Sequence, residues 1–125
     1  MTIKRVICPL RMRHVPKKFS WLDHRLVREE HIVGLSHSAL ALYLFLVTVS
    51  DADGLSYYSD GVVDRYLNMD IGLLGCSRRE LQDAELIAYK RPLYQVLGLD
   101  KPLGYDMPIK SPCADRDGAA VSSTP

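Results

Sequence analysis

The amino-acid sequence predicts a mainly α-helical α+β fold that carries a small β-hairpin, and three features lead to this prediction. Residues 35–50 are apolar on nearly every side of a helix, which is typical of a buried central helix. Two shorter helical patterns follow, separated at residues 68–70 by Asn and Asp, whose side chains satisfy the backbone in turns. Two short β-prone runs, 86–89 and 93–97, flank a basic turn and indicate a hairpin.

The two helices before the hairpin have clear start signals. Ser59 and Asp60 are residue types that begin helices, and Asp70 can cap a second helix that begins at Ile71. The apolar residues expected on the inner faces are Val62, Val63, Tyr66 and Leu67 in the first helix and Leu74, Leu81 and Ala84 in the second. Two short helices joined by a tight turn and closed by a hairpin form a winged helix-turn-helix, which is the fold we expect.

An additional helix is predicted on the N-terminal side of the central helix. Ser20 opens this helix and Gly34 closes it. Its apolar stripe consists of Trp21, Leu22, Leu26 and Val27. Because the helix lies outside the minimal winged-helix set, we expect the stripe to pack on the core or on a second copy of the chain.

The sequence divides into three segments. Residues 1–18 form a basic N-terminal arm, residues 19–97 the winged-helix domain with its extra helix, and residues 98–125 an irregular or flexible tail. Within the domain, Ser36 or Ser38 supplies the N-cap of the central helix. The short β-prone run that follows it, Leu55-Ser56-Tyr57, is expected to pair with the hairpin as a third strand.

The charge of the chain is asymmetric, although its 125 residues carry a formal net charge of only +1. Residues 1–34 contain eight Lys or Arg against three Asp or Glu, whereas residues 35–89 contain three against eight. Because phosphate neutralisation requires clustered cations, a nucleic acid is expected to contact the first third and the hairpin turn. The first segment then acts as an arm on phosphates or in a minor groove, or it is simply a solubilising terminus.

Several classes of protein are disfavoured. The longest apolar run, residues 39–49, is shorter than the about 20 residues of a membrane-spanning helix, and no secretory signal pattern is found. Cys8, Cys76 and Cys113 are odd in number and widely spaced, so we expect no disulfide framework, metal site or cofactor. No nucleophile, base and orienting group occur together, so we expect no enzyme, and the cytoplasm is the default location.

Four short motifs occur in a familiar order: Leu35-Ser36, Asp51-Ala52-Asp53-Gly54, Leu67-Asn68-Met69-Asp70, and Leu81 through Glu85-Leu86-Ile87. In this order they resemble the winged-helix domains of bacterial plasmid and phage replication proteins and of related transcriptional regulators. The resemblance covers about half of the chain. It implies a winged-helix fold and a DNA-binding function.

The third helix of this pattern departs from the DNA-reading type. Its exposed positions are mostly apolar or small, where side chains that pair with base edges are usual. These positions are Ile71, Gly72, Leu73, Gly75 and Cys76. Arg78 lies where a core leucine is expected, so we expect its stem to be buried and its guanidinium to reach an acid. Glu85 replaces a glycine of the pattern, which implies a strained left-handed backbone or a different helix end.

The sequence therefore predicts a DNA-binding winged-helix protein of bacterial type, acting as a homodimer on double-stranded DNA. Its role would be that of a small transcription regulator or of an accessory factor in replication or in a mobile element. The alternative is a winged-helix module for protein-protein interaction or assembly without base-specific readout, which the acidic middle region favours.

The candidate DNA contacts are mainly basic and hydroxyl side chains able to bind phosphate. They are Arg79, Lys90, Arg91, Lys17, Lys18, Arg11, Arg13, Tyr58, Ser59, Ser77 and Gln82. An ordinary charged turn is an equally good interpretation of Lys90 and Arg91. For Tyr57 and Tyr58, the alternative is one packed and one exposed ring.

Overall fold

The computed structural model describes residues 3–101, and this part of the chain is an α+β fold with four α-helices and one three-stranded antiparallel sheet. In chain order the elements are α1 (Arg25–Arg28), α2 (His37–Val49), β1 (Leu55–Tyr57), α3 (Asp60–Leu67), α4 (Ile71–Asp83), β2 (Ile87–Lys90) and β3 (Leu93–Val96). A single 3-10 turn, Pro9–Arg11, precedes them. Beyond residue 101, the predicted tail lies outside the described part of the chain.

The central helix, α2, is present as predicted. Ser36 caps it, because its Oγ accepts a hydrogen bond from the Ala39 N–H at 3.1 Å. Leu42 and Leu46 are fully buried, and α2 packs chiefly on α4. Leu44 lies on the far side of α2 and is 55% exposed, so the described residues leave one face of this apolar helix uncovered.

The two helices α3 and α4 begin at the predicted caps. The Ser59 Oγ accepts from the Val62 N–H at 3.4 Å, and Asp70 Oδ1 accepts from the Leu73 N–H at 2.7 Å. Between the helices, Asn68 takes a left-handed conformation with φ of 55°, which an Asn side chain tolerates better than most. The local turn chemistry of residues 68–70 therefore separates the helices, as the sequence predicts.

The sheet has the order β1-β3-β2, so the last strand lies in the middle. Ser56 is opposite Tyr94 on one side of β3, and Tyr89 is opposite Tyr94 on the other. This confirms both the hairpin and the third strand. Glu85, which leads from α4 into β2, has φ of 60°, so the left-handed backbone expected at this position is also confirmed.

The additional N-terminal helix is much shorter than predicted. Only Arg25–Arg28 is helical, and the Asp23 carboxylate, not Ser20, accepts the hydrogen bond from the Arg25 N–H at its start. Ser20 instead donates to the Thr48 carbonyl at 3.2 Å. At the other end, Glu30 has φ of 60°, which breaks the helix before Gly34.

The apolar stripe expected on that helix does not pack as a unit. Leu26 is buried with 6% exposure, whereas Trp21 and Val27 are 73% and 68% exposed. Of the two places that the sequence allows for this stripe, the core of the same chain buries only Leu26, and packing of the other members on a second copy stays a prediction. Residues 3–20 are exposed throughout and contain no strand.

The fold continues past the predicted boundary at residue 97. Leu99 packs against the core, and Asp100 Oδ1 lies 2.6 Å from Arg25 Nη1. Lys101 Nζ lies 2.8 Å from Glu85 Oε1. These contacts join the chain after β3 to α1 and to the end of α4.

Candidate functional site

The two faces of α4 differ sharply in burial. Leu74, Ser77 and Leu81 recur at helical spacing and are fully buried against the core. The residues that point away from them form what we call the outward face of α4: Gly72, Gly75, Cys76, Arg79, Gln82 and Asp83. This face is one part of the helix that the core does not cover.

Arg78 belongs to the inner face and is fully engaged within the chain. Its Nη1 donates to Asp60 Oδ1 at 3.0 Å and to the Tyr94 hydroxyl at 2.8 Å. Its guanidinium carbon lies 4.2 Å from the centre of the Tyr89 ring. The prediction that Arg78 reaches an acid is confirmed, and the contact ties α3, α4 and the hairpin together.

The hydroxyl of Tyr94 lies in the middle of this contact and is fully buried. Burial raises the pKa of Tyr94 to about 12, and the neighbouring Arg78 cation acts in the opposite direction. The hydroxyl therefore stays protonated at neutral pH and is held as a structural partner.

Ser77 is a predicted DNA contact that the structure corrects. Its side chain is 0% exposed, and its Oγ is hydrogen-bonded to the Leu73 carbonyl and to Ser38 Oγ, both at 2.8 Å. A duplex has no access to it. The reason is its position on the inner face, where α2 covers it.

The Ser77 hydroxyl is the first member of a hydrogen-bonded row that links α4 to the start of α2. Ser38 Oγ lies 3.0 Å from Ser36 Oγ, which in turn donates to Glu80 Oε2 at 2.6 Å. Glu80 Oε1 also accepts from the Ser36 N–H at 2.8 Å. These hydrogen bonds, that of the Ser36 side chain first, lower the pKa of Glu80.

The basic residues of the hairpin and of α4 that are predicted to contact DNA are accessible to solvent. Lys90 and Arg91 are exposed at the hairpin tip, where Arg91 and Pro92 form the turn between β2 and β3. Arg79 and Gln82 are half-buried on the outward face of α4. The structure thus separates Arg79 from its neighbours Ser77 and Arg78, which face inward.

The start of α3 and the N-terminal arm contribute further candidates. Tyr58 is half-buried, with its ring 5.3 Å from that of Phe45 in an edge-on arrangement, and Tyr57 is 70% exposed. One packed and one exposed ring is therefore the correct description of this pair. Ser59 is exposed while it caps α3. The exposed cations of the arm include Arg11, Arg13, Lys17 and Lys18.

Three apolar side chains at the end of α3 and the start of α4 are exposed. Ile71 is 73% exposed, Leu73 is 45% exposed, and Tyr66 of α3 is 64% exposed. Tyr66 was expected on the inner face of α3, but its ring lies on the outside against Phe45, 5.5 Å away. The sequence signal was the apolar start of α4, which is unusual for a helix that reads DNA.

The part of the chain that the structure describes contains neither a metal-binding cluster nor a helix that could span a membrane. Residues 3–101 contain no group of three or more His, Cys, Asp or Glu side chains placed to hold a metal ion. No helix among them is long and apolar enough to cross a bilayer. Cys8 and Cys76 are exposed and unpaired, and Cys113 lies outside the described residues.

Comparisons of this chain with protein-family models, with curated proteins and with solved structures found no match.

Proposed function

We propose that this chain is a winged-helix protein that binds double-stranded DNA, in the manner of a small regulator or a replication or mobile-element accessory factor. The observation that carries the proposal is the accessibility of Arg79, Lys90 and Arg91 on the outward face of α4 and at the hairpin tip. In a winged helix these two places face the duplex together. Their cations supply the phosphate contacts on which DNA affinity depends.

The outward face of α4 favours contacts with the DNA backbone over base readout. Gly72, Gly75 and Cys76 offer no side chain that pairs with a base edge, and Ser77 is buried. Gln82 is the one amide side chain on this face. Binding through Arg79 and the hairpin would therefore depend weakly on sequence and strongly on salt.

Two further regions add to the phosphate contacts in this proposal. The start of α3 presents Ser59 and backbone N–H groups at the positive end of a helix, a place where phosphates bind. The acid next to it, Asp60, is already paired with Arg78, which reduces its repulsion of a phosphate. The exposed arm of residues 3–18 supplies additional cations along the backbone.

The test is fluorescence anisotropy with a labelled duplex of mixed sequence, at low and at near-physiological salt. The variant Arg79→Ala with Lys90→Ala and Arg91→Ala should bind more weakly, and its salt dependence should be flatter by about 2 to 3 units, since each phosphate contact contributes about 0.9. Unchanged affinity and slope would reject this surface.

A matched pair of single variants shows whether the effect is local. Arg79→Ala and Arg28→Ala remove the same charge, but Arg28 lies on α1 and not on the outward face of α4. We expect only Arg79→Ala to lower the salt slope by about one contact. Equal losses would show that net charge, not this surface, governs binding.

The second candidate function is a protein-interaction module, favoured by the exposed apolar side chains Ile71, Leu73 and Tyr66. In that case the chain would bind no duplex even at low salt. Replacement of Ile71 and Leu73 by serine distinguishes the two functions, because it removes two of these apolar side chains and leaves all the cations. Retained DNA binding in this variant would support the first function.

A further inference from the structure

The N-terminal arm, residues 3–18, presents large apolar side chains to water. Every residue of the arm is exposed. Its large apolar side chains are between 53% and 99% exposed, and they are Ile3, Val6, Ile7, Leu10, Met12 and Val15. The described part of the same chain therefore does not cover them. Apolar surface on this scale is typical of a segment that is buried on a partner.

The body of the chain has an uncovered apolar groove between α1 and α2. Its volume is about 450 Å³, and its apolar lining includes Leu22, Leu26, Val27, Ile32, Leu40 and Leu44. Three of these side chains, Leu22, Val27 and Leu44, are between 50% and 68% exposed. The arm and the groove thus each present apolar side chains that burial against one another would stabilise.

The apolar surface of arm and groove together is large enough for a stable dimer. An exposed Leu, Ile or Val side chain offers roughly 100 Å² of apolar surface for burial. Six arm side chains of one copy and three groove side chains of another, each partly exposed, therefore offer roughly 600 Å². Two such contacts in a symmetric pair bury roughly 1,200 Å² of apolar surface. Because apolar atoms form somewhat more than half of a typical interface, the total is roughly 2,000 Å², which is the size of a specific, stable interface.

The charges of the arm and of the region beside the groove are complementary. The arm carries six Lys or Arg and no Asp or Glu. A cavity of about 620 Å³ shares Asp23 with the groove, and its charged lining consists of Arg25 and four acids: Asp23, Asp51, Asp53 and Asp100. Arg25 is itself paired with Asp23 and Asp100, at 2.7 Å and 2.6 Å. This region therefore attracts a positive arm, whereas two arms repel each other.

The arm leaves the body of the chain beside the same cavity. Phe19, Ser20 and Trp21 contribute to the lining of the cavity, and the Ser20 Oγ donates to the Thr48 carbonyl of α2 at 3.2 Å. An extended chain advances about 3.3 Å per residue, so Leu10 can lie about 30 Å from this anchor. That reach is enough for the arm to cross to a second copy that faces the same side of α2.

We propose that two copies of this chain exchange their N-terminal arms, so that the apolar side chains of each arm lie in the α1–α2 groove of the other copy. Exchange about a two-fold axis makes the same contact twice and closes the assembly as a dimer. The six cations of the arm exceed the net three negative charges of the cavity lining, so a docked arm keeps positive charge for a duplex. The inference does not rest on DNA binding by α4 and the hairpin.

The first test is sedimentation equilibrium of the full-length chain, which measures the Kd of the dimer. Ile7→Glu with Leu10→Glu changes the arm, and Val27→Glu with Leu44→Glu changes the groove. All four side chains are more than half exposed in the single chain, so each variant should fold. We expect each double variant to raise the Kd at least about 100-fold, because charges replace apolar side chains in both copies of the contact.

The matched control is Ile71→Glu with Leu73→Glu, which makes the same change to an isoleucine and a leucine exposed at the start of α4. It should leave the Kd of the dimer unchanged. Circular dichroism and cooperative urea unfolding verify that all three double variants are folded.

The second test is a mixture of the arm variant and the groove variant. A pair with one copy of each keeps one unaltered arm in one unaltered groove, although neither variant alone has such a contact. We therefore expect mixing to restore association, with a Kd at least about tenfold lower than that of either variant alone. An arm that docks in its own groove would give no such recovery.

Loss of the dimer in both variants, with recovery in the mixture, supports the proposal. A wild type that stays monomeric up to about 100 μM would overturn it, since the contact would then be too weak for this area. A dimer that only the groove variant disrupts would show that two grooves pack directly on each other. A dimer that the Ile71/Leu73 variant disrupts, or a mixture that does not associate, would likewise reject arm exchange.

Discussion

The inner and outward faces of α4 show that similar side chains serve different purposes on one helix. Arg78 and Arg79 are neighbours in sequence, yet Arg78 is held by Asp60 and Tyr94 whereas Arg79 lies on the outward face. The inner face is packed and its polar side chains are hydrogen-bonded, while Gly72 and Gly75 leave two of the six positions of the outward face without a side chain. The contacts that hold the fold together therefore lie on the inner face, and the proposed contacts with DNA lie on the outward face.

The largest expected effect comes from Arg78→Met, which keeps the apolar stem but removes the charge. We expect a loss of about 3 kcal/mol in the free energy of unfolding, because Asp60 and the buried Tyr94 hydroxyl lose their partner. Urea unfolding at neutral pH measures this loss. The matched change on the outward face, Arg79→Met, should alter stability by no more than about 0.5 kcal/mol.

Similar small losses in both variants would contradict this difference between the two faces, because they would show that Arg78 contributes no more to the free energy of unfolding than Arg79 does. A large loss of unfolding free energy only for Arg79→Met would show that the outward face is the stabilising one. The DNA-binding assay sharpens the same comparison, since Arg79→Met should weaken binding without a change in stability.

Alkaline pH tests the same inner contact through Tyr94. Its pKa is raised to about 12, above the ordinary value of 10.0, so the folded state binds a proton that the unfolded state has already lost. Stability is therefore complete below about pH 10 and falls as the pH rises towards about 12, by about 3 kcal/mol in total. Tyr43 and Tyr89, whose pKa values burial also raises, act in the same direction.

Urea unfolding between about pH 8 and about pH 12 measures this dependence. Tyr94→Phe should be less stable at neutral pH, because it removes the hydroxyl that Arg78 contacts, but its stability should decline less steeply with pH. An equally steep decline in the variant would show that Tyr94 is not the group that titrates.

The features that the sequence predicts well are those decided by neighbouring residues. Ser59 and Asp70 cap their helices, and Glu85 takes the left-handed backbone that its place in the pattern implies. Arg78 was predicted to turn inward because it occupies the position of a core leucine in a periodic helix. Each of these signals lies within a few residues of the feature that it determines.

The errors concern features that depend on contacts between distant parts of the chain. Ser77 fits either face of a helix, and the presence of Ser38 on α2 determines that it is buried. The extra helix was expected to run from residue 20 to 34, but no local signal marked Glu30 as the residue that breaks it. The sequence predicts Arg79, Lys90 and Arg91 as candidate contacts. Their separation from the buried Ser77, however, follows from the packing of α2 on α4.

The smallest expected effect comes from Gly72→Ala with Gly75→Ala, which adds two methyl groups to the outward face. A Cβ at residue 75 would meet nothing within 4 Å, and one at residue 72 only Asp70 Oδ1 at 3.5 Å. Packing within residues 3–101 therefore does not require either glycine, and each replacement should stabilise α4 by about 1 kcal/mol or slightly less. Thermal unfolding measures this gain.

If the outward face approaches a DNA backbone or a partner closely, the same two methyl groups should weaken binding while they stabilise the fold. Gly98→Ala is the control, because residue 98 also has no neighbour within 4 Å of an added Cβ but follows β3 and belongs to none of the proposed DNA contacts. It should leave duplex binding unchanged. A stabilised α4 variant that binds as tightly as the wild type would show that its bare face makes no close contact, and would restrict the interface to Arg79 and the hairpin tip.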